Sequence, residues 1–150
     1  MKKFFGQRGF TLIELLIVIG IIAILAAVVM IAINPARQFS QANDTARSSN
    51  INAILNAIGQ YTVDNKGKLP TSITTTKTEI CATGAASCTG LVDLSDLTDN
   101  AIYIGEMPVD PDCPTGCAAS GTGYWVQKLA NNRIFVDAPL ADLASISVTR

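Results

Sequence analysis

The apolar run between Leu15 and Ile33 constrains this chain more than any other feature. Its 19 residues include no charged or strongly polar side chain. At 1.5 Å of rise per residue, a helix of this length spans roughly 28 Å, close to the ~30 Å hydrocarbon core of a bilayer. A helix at the edge of a soluble core would have a polar face, and this run has none. The run is therefore predicted to be a helix buried all round, in lipid or among copies of itself.

The charges that flank the run predict its orientation in a membrane. Lys2, Lys3 and Arg8 precede it, and Arg37 is the only positive charge shortly after it. Since Lys and Arg are enriched on the cytoplasmic side, the N-terminus is predicted to lie inside the cell. An ordinary secretory signal is shorter and ends in a small-residue cleavage site. Here the small residue, Gly9, precedes the run, so cleavage at Gly9 would leave the whole apolar helix on the mature chain.

A carboxylate, Glu14, lies just before the uncharged run. A charge within a membrane helix costs about 2.5–3.5 kcal/mol near the centre and less near the edge. Either Glu14 lies in the headgroup layer, or it neutralises a cation in an assembled state. The candidate cation is the α-amino group of Phe10 that cleavage after Gly9 would release, in the same helix or in a neighbouring subunit.

The segment RGFTLIELL at residues 8–16 resembles the prepilin signal of type IV pilins and type II secretion pseudopilins. The resemblance consists of a basic leader, a Gly-Phe junction, Glu at the fifth mature position and an apolar run. It implies cleavage between Gly9 and Phe10 by a membrane prepilin peptidase, N-methylation of Phe10, and a part for Glu14 in assembly. It also implies a helical filament built by an inner-membrane assembly platform and its cytoplasmic ATPase. The close resemblance covers about the first third of the chain.

A second helical segment follows the apolar one. Pro35 lacks an N–H and crowds the preceding turn, so a helix break is predicted at Pro35. An apolar stripe with helical spacing then comprises Ile51, Ile54, Leu55, Ile58 and Tyr61. The polar residues Asp44, Arg47, Ser48 and Asn52 are predicted to point away from that stripe. The helix is predicted to end at about Asn65, because positive charges, Gly67 and Pro70 follow it.

The C-terminal third predicts a small antiparallel sheet. A hairpin with a two-residue turn at Asn131-Asn132 would place Trp125, Leu129, Ile134, Val136 and Ala138 on the face that covers the helix. Alternating apolar residues between Ala144 and Thr149 indicate a final strand. The predicted fold class is α+β, with a long N-terminal helix, apolar and then amphipathic, packed against this sheet.

Four cysteines form two close pairs, and no histidine accompanies them. Spacings of six and three intervening residues fit a zinc ribbon poorly. Outside the cytoplasm, oxidising conditions favour disulfides, and the short separations favour Cys81–Cys88 and Cys113–Cys117. Crossed pairings are the alternative that the sequence leaves open.

Seven acidic residues and no basic one lie between Lys77 and Lys128. The plainer interpretation is a solvated acidic face, with no metal or other cofactor. The alternative is a calcium site that includes Asp110 and Asp112, since calcium prefers several oxygen ligands. The segment from Met107 to Asp112 resembles a proline- and aspartate-containing segment of major pseudopilins, some of which bind calcium.

Composition argues against an enzyme and against direct nucleic-acid binding. With no histidine, most Ser-His, Cys-His and metallohydrolase chemistries lack a base or ligand. Without Lys2, Lys3 and Arg8, eight basic residues face twelve acidic ones, unlike a nucleic-acid footprint.

The predicted organisation has three parts: a leader at 1–9 that is removed, an apolar transmembrane and filament-core helix at 10–34, and an extracytoplasmic domain at 35–150. The predicted function is a structural subunit that polymerises through its apolar helix into a type IV pilus-like filament. The precursor crosses the cytoplasmic membrane once, and the filament is extracellular or periplasmic. The alternatives are a type II secretion pseudopilin that forms a periplasmic piston, and a membrane-anchored binding domain that does not polymerise.

Overall fold

The chain divides into two compact units in a computed structural model that describes residues 9–113 and 115–150. One unit ends at Gln38, and the other, here called the C-terminal unit, is Phe39–Arg150. The basic residues of the predicted leader, Lys2, Lys3 and Arg8, lie outside the described residues.

Helix α1 (Leu12–Ile33) contains the uncharged run. Thr11 is its N-cap, and the helix ends at Asn34, which adopts a left-handed conformation with φ of 47°. Within the described part of the chain, α1 is the one helix long and apolar enough to cross a membrane, judged by length and composition alone. None of its residues is buried.

Helix α2 (Pro35–Asp64) begins directly after this interruption. Pro35 occupies the first helical position, where its missing N–H is not needed and its fixed φ suits a helix. The side-chain oxygen of Asn34 accepts a hydrogen bond from the Arg37 N–H at 3.4 Å. The non-helical residue is therefore Asn34 rather than Pro35, because a residue that precedes proline is disfavoured in the helical conformation.

A four-stranded antiparallel sheet in the order β1-β2-β3-β4 packs against α2. Between β1 and β2 the chain forms a short helix α3 (Ser95–Thr98) and a single 3-10 turn (Asp99–Ala101). The α+β fold class predicted from the sequence is confirmed. The strands are β1 (Thr78–Cys81), β2 (Gly121–Lys128), β3 (Ile134–Ala138) and β4 (Ile146–Thr149).

The core of the C-terminal unit lies between α2 and the sheet. The predicted apolar stripe of α2 is buried along Ile51, Ile54, Leu55 and Ile58, while Tyr61 is half-buried. Tyr124 is fully buried, and its hydroxyl accepts a hydrogen bond from Asn50 Nδ2 at 2.8 Å. The remaining strand residues of this core are Ile80, Val126, Ile134, Val136 and Ala138.

The first strand of the hairpin is shifted by one residue from its predicted register. Leu129 and Arg133 close a three-residue loop, with the Leu129 N–H donating to the Arg133 carbonyl at 2.8 Å. Asn132 within that loop has φ of 66°. Because three residues replace the predicted two, Val126 rather than Gln127 pairs with Val136, and Val126 rather than Trp125 faces the core. The prediction that Trp125 and Leu129 cover the helix was therefore wrong, whereas that for Ile134, Val136 and Ala138 was correct.

Candidate functional site

The segment before α1 is open and leads into a side-chain cap. Gly9 and Phe10 are exposed, without regular secondary structure, and a Cβ atom on Gly9 would meet nothing within 4 Å. Thr11 and Glu14 then form a capping box. Glu14 Oε2 accepts hydrogen bonds from the Thr11 N–H at 2.8 Å and the Thr11 hydroxyl at 2.7 Å. In return, the Glu14 N–H donates to Thr11 Oγ1 at 3.2 Å.

The capping box gives Glu14 a local role. It satisfies orphan N–H groups at the start of α1, and it places a negative charge at the positive end of the helix dipole. Phe10 is joined to Gly9 in this structure, so no free α-amino group is present at that position. The pairing of Glu14 with a released Phe10 amine therefore stays a prediction.

The surface of α1 has no partner within the described chain. Sixteen of its large apolar side chains are at least half exposed, from Val18 at 50% to Leu12 at 87%. Contiguous apolar patches on soluble monomers rarely exceed a few hundred Å², so such a surface needs lipid or protein around it. An α-helix satisfies its own backbone hydrogen bonds, and α1 is therefore suited to either environment.

A second polar cluster, here called the Arg47 cluster, lies in the C-terminal unit. Arg47 on α2 is fully buried and contacts four carboxylates. Asp110 binds it bidentately, with Oδ2 at 2.8 Å from Nε and Oδ1 at 3.0 Å from Nη2. Asp112 accepts at 2.6 Å, Asp44 at 2.9 Å and Asp142 at 3.3 Å. Four carboxylates around one guanidinium leave this end of the unit with a net charge of −3.

Hydrogen bonding shifts the pKa values of two groups in the Arg47 cluster, Arg47 and Asp44. The bonds from Asp110, followed by those from Asp44 and Asp112, raise the pKa of Arg47 above its ordinary value, although burial opposes the shift. Burial raises the pKa of Asp44, but the N–H groups of Asp142 and Leu143 and the Arg47 guanidinium lower it more. The pKa of Asp44 therefore lies below its ordinary value of 3.8.

The Arg47 guanidinium occupies the place that the calcium alternative would give to a cation. Asp110 and Asp112, the two calcium candidates, both bind it, and Asp110 Oδ1 also accepts the Asp112 N–H at 3.0 Å. Among residues 9–113 and 115–150, no group of three or more His, Cys, Asp or Glu residues is arranged to hold a metal ion. The arrangement of these carboxylates fits a buried ion-pair network better than a calcium site.

The cysteines form two disulfides, Cys81–Cys88 and Cys113–Cys117, in the sequential pairing that the short separations favour. The second disulfide packs against β2 at Gly123, which has φ of 81°. A Cβ atom on Gly123 would lie 2.9 Å from Cys117 Sγ and 2.7 Å from Asp110 Cβ. Glycine at this position therefore brings the disulfide loop and Asp110 close to the sheet, where Asp110 meets Arg47.

Two comparisons with known proteins match part of the chain. The prokaryotic N-terminal methylation motif matches residues 5–30. Over 60 residues the chain is 48% identical to the type IV wide pilus major component PilA4 of Thermus thermophilus. The chain is therefore similar to a type IV pilin over part of its length. The matched region is 40% of this chain and 44% of PilA4, so the chain spans less than half the length of that relative. No solved structure matches the chain.

The methylation-motif match covers the site residues before and in α1, whereas the structure alone reveals Arg47. The methylation motif includes Gly9, Phe10 and Glu14, and the structure gives Glu14 a helix-capping contact in addition. Arg47 was missed, because its polarity suggested that it points to solvent. Its position was nevertheless a signal, since Arg47 lies four residues before Ile51 and so on the same helix face.

Proposed function

We propose that this chain is the structural subunit of a type IV pilus-like filament. Its precursor is inserted in the cytoplasmic membrane through α1 with the N-terminus inside, cleaved after Gly9, and methylated on the Phe10 amine. The mature chain then polymerises through α1. The observation that carries the proposal is that the matched methylation motif covers most of α1, a helix that is exposed along its whole length and has Glu14 as its one charged residue.

The physical basis of assembly is the exchange of lipid for protein around α1. Burial of a Val, Leu or Ile side chain is worth about 1.5–3 kcal/mol relative to water, so a filament with α1 in its interior does not dissolve once outside the membrane. Relative to lipid the gain is small, and extraction therefore needs a driven step. An assembly platform and a cytoplasmic ATPase supply that step in the proposal, which assigns the chain a structural and not an enzymatic role.

In this proposal, Glu14 makes assembly favourable only for chains that have been cleaved. A carboxylate in an apolar filament core is stable only with a cation beside it. Cleavage after Gly9 creates a cation at Phe10, one helical turn from Glu14, and a neighbouring subunit brings a second such amine. Uncleaved chains lack this cation and therefore stay in the membrane.

The N-terminus of the protein recovered from cells tests the proposal directly. Mass spectrometry is expected to find chains that begin at methylated Phe10. Gly9→Leu is expected to leave full-length precursor in the membrane, and Gly6→Leu, a matched glycine substitution within the leader, is expected to be processed normally. Recovery of wild-type chains that still carry Lys2 and Lys3 would favour a non-polymerising membrane anchor.

A pair of substitutions at the cap separates the charge of Glu14 from its capping role. Glu14→Gln keeps a side-chain acceptor for the cap but removes the charge, whereas Thr11→Ala breaks the capping box and keeps the charge. We expect Glu14→Gln to abolish filaments while leaving membrane insertion intact, and Thr11→Ala to reduce them far less. Equal loss of filaments in both variants would mean that Glu14 acts only as a helix cap.

Deletion of the gene distinguishes a pilus from a secretion pseudopilus. Loss of long surface filaments, with secretion of exoproteins unchanged, supports the pilus. The converse result, in which secretion stops and surface filaments remain, supports the periplasmic piston. The similarity to PilA4, a type IV wide pilus major component, favours the first outcome.

A further inference from the structure

An open groove of about 720 Å³ lies at the end of the C-terminal unit where α2 ends. Its walls are the last turns of α2, the start of β3 and the residue after β4. A Cβ atom on Gly59 would meet nothing within 4 Å, so this wall of the groove borders open space. The groove is therefore shaped to receive an apolar side chain from outside. Its apolar lining residues are Leu55, Ile58, Val63, Leu69 and Ile134.

The sheet topology brings positive charge to the rim of this groove. β2 and β4 end at this edge of the sheet and β3 begins there, so the cations that flank these strands lie together. Arg150 lines the groove, and its guanidinium contacts Asn56 Oδ1. Asp64 is the one acidic residue in the groove lining. Lys66 and Lys68 follow the end of α2, which lies at the same end of the unit. In the described part of the chain, no salt bridge is formed by these five cations: Lys66, Lys68, Lys128, Arg133 and Arg150.

The opposite end of the C-terminal unit has the complementary properties. From Arg47 to Val63, α2 rises about 24 Å. At the Arg47 end lies the cluster with its net charge of −3, in which the side chains of Asp112 and Asp142 are 45% and 36% exposed. Leu143, next to Asp142 in the chain, is 51% exposed. One end thus presents a groove among cations, and the other an apolar side chain among carboxylates.

We propose that the groove of one copy binds the Asp142–Leu143 segment of a second copy. Leu143 of the second copy enters the groove beside Gly59, and Asp142 and Asp112 face Arg150 and Arg133. The inference rests on the proposed function, for which it supplies a contact outside α1.

The contact is heterologous, because it joins two different surfaces at opposite ends of the unit. Contacts of this kind generate open helical arrays unless the rotation closes into a ring, and a filament subunit needs such an array. Charge fixes the polarity, since contacts between two like ends would place carboxylates against carboxylates or cations against cations.

A cysteine pair placed at the two surfaces tests the contact in assembled filaments. The full chain with Gly59→Cys and Leu143→Cys is expressed in its own cells, and sheared filaments are analysed on a non-reducing gel. The two thiols of one copy lie at opposite ends of the C-terminal unit, much farther apart than the roughly 7 Å limit for a disulfide. A bond between them therefore joins two copies, and the native cysteines are already paired. The expected result is a ladder of covalent oligomers.

Control variants make the result specific. Gly59→Cys alone, and Gly59→Cys with Ser147→Cys on the exposed outer sheet face, are expected to give no ladder. Filaments with normally processed N-termini but no ladder in the Gly59/Leu143 variant would overturn the contact and leave the proposed function intact. An equal ladder in the Ser147 control would also overturn it. If wild-type chains keep their leader and form no filament, both proposals fail.

Filling the groove gives a second measurement. Gly59→Leu is expected to lower filament yield about tenfold, the change expected from loss of one buried leucine contact. Gly59→Ala adds only a methyl group and is expected to leave the yield close to wild type. Unchanged yield in Gly59→Leu, with normal processing, would contradict the proposal.

Discussion

Arg47 is the residue on which the arrangement of the C-terminal unit depends most. It is fully buried, and its partners come from one turn earlier on α2, from the loop before β2 and from the loop after β3. A buried guanidinium is stable only because these carboxylates accept its hydrogens. The cluster therefore fixes two irregular loops against one helix, where backbone hydrogen bonding alone would not.

Replacement of Arg47 tests this role in stability. Arg47→Met keeps the apolar length but leaves the buried Asp110 carboxylate without its partner, so we expect the free energy of unfolding to fall by about 3–5 kcal/mol. Urea unfolding of the detergent-solubilised protein, followed by Trp125 fluorescence, measures the change. Arg133→Met, at an exposed arginine, is the matched control and is expected to stay within about 0.5 kcal/mol of wild type. Equal losses of unfolding free energy in the two variants would show that Arg47 has no special structural role.

Acid titration tests the contribution of Asp44. Its pKa is lower in the folded chain than the ordinary 3.8, so folding is stabilised above that pH, and the stabilisation is lost as pH falls through the folded value. The difference in unfolding free energy between wild type and Asp44→Asn is expected to be constant near neutral pH. It should shrink below about pH 3.8. Unfolding curves collected between pH 7 and pH 2.5 check the sign, and a difference that grows toward acid would contradict it.

At the scale of elements, local patterns predicted the helices and the close disulfides but not every register. The apolar run is long enough to form a membrane-spanning helix, and the stripe from Ile51 to Ile58 has helical spacing; both segments are helical in the structure. The hairpin depends on loop length, and a change from two residues to three exchanged Trp125 for Val126 in the core. The partners of Arg47 are separated by up to 95 positions in sequence, so no local pattern connects them.

Gly59 lies inside α2 and weakens it. Its backbone is helical, it is exposed, and a Cβ atom would meet no neighbour. Gly59→Ala is therefore expected to raise the free energy of unfolding by about 0.5–1 kcal/mol through backbone entropy and helix propensity. Thermal unfolding by circular dichroism measures the gain. Gly123→Ala is the opposite case, because its positive φ and the nearby Cys117 sulfur predict a loss. A gain at both positions would contradict the structure.

At the scale of the whole molecule, the two units differ in how they bury apolar side chains. Residues of α1 have no place in the core of the C-terminal unit, whose buried apolar cluster runs from Ile51 to Ala138. Folding of the C-terminal unit and the proposed polymerisation through α1 therefore depend on separate sets of residues. This division suits a subunit that folds before it leaves the membrane and then exchanges lipid for its neighbours.

Truncation tests that independence. A chain that begins at Phe39 keeps Asp44, Arg47 and the whole buried cluster, so we expect it to fold without detergent. Its free energy of unfolding should agree with that of the detergent-solubilised full chain within about 0.5 kcal/mol, the usual range for changes away from a core. A chain that begins at Asn52 lacks Arg47 and Ile51, and it is expected to show no cooperative urea transition. If the Phe39 chain also unfolds without cooperativity, α1 contributes to the stability of the C-terminal unit, and the two units are not independent.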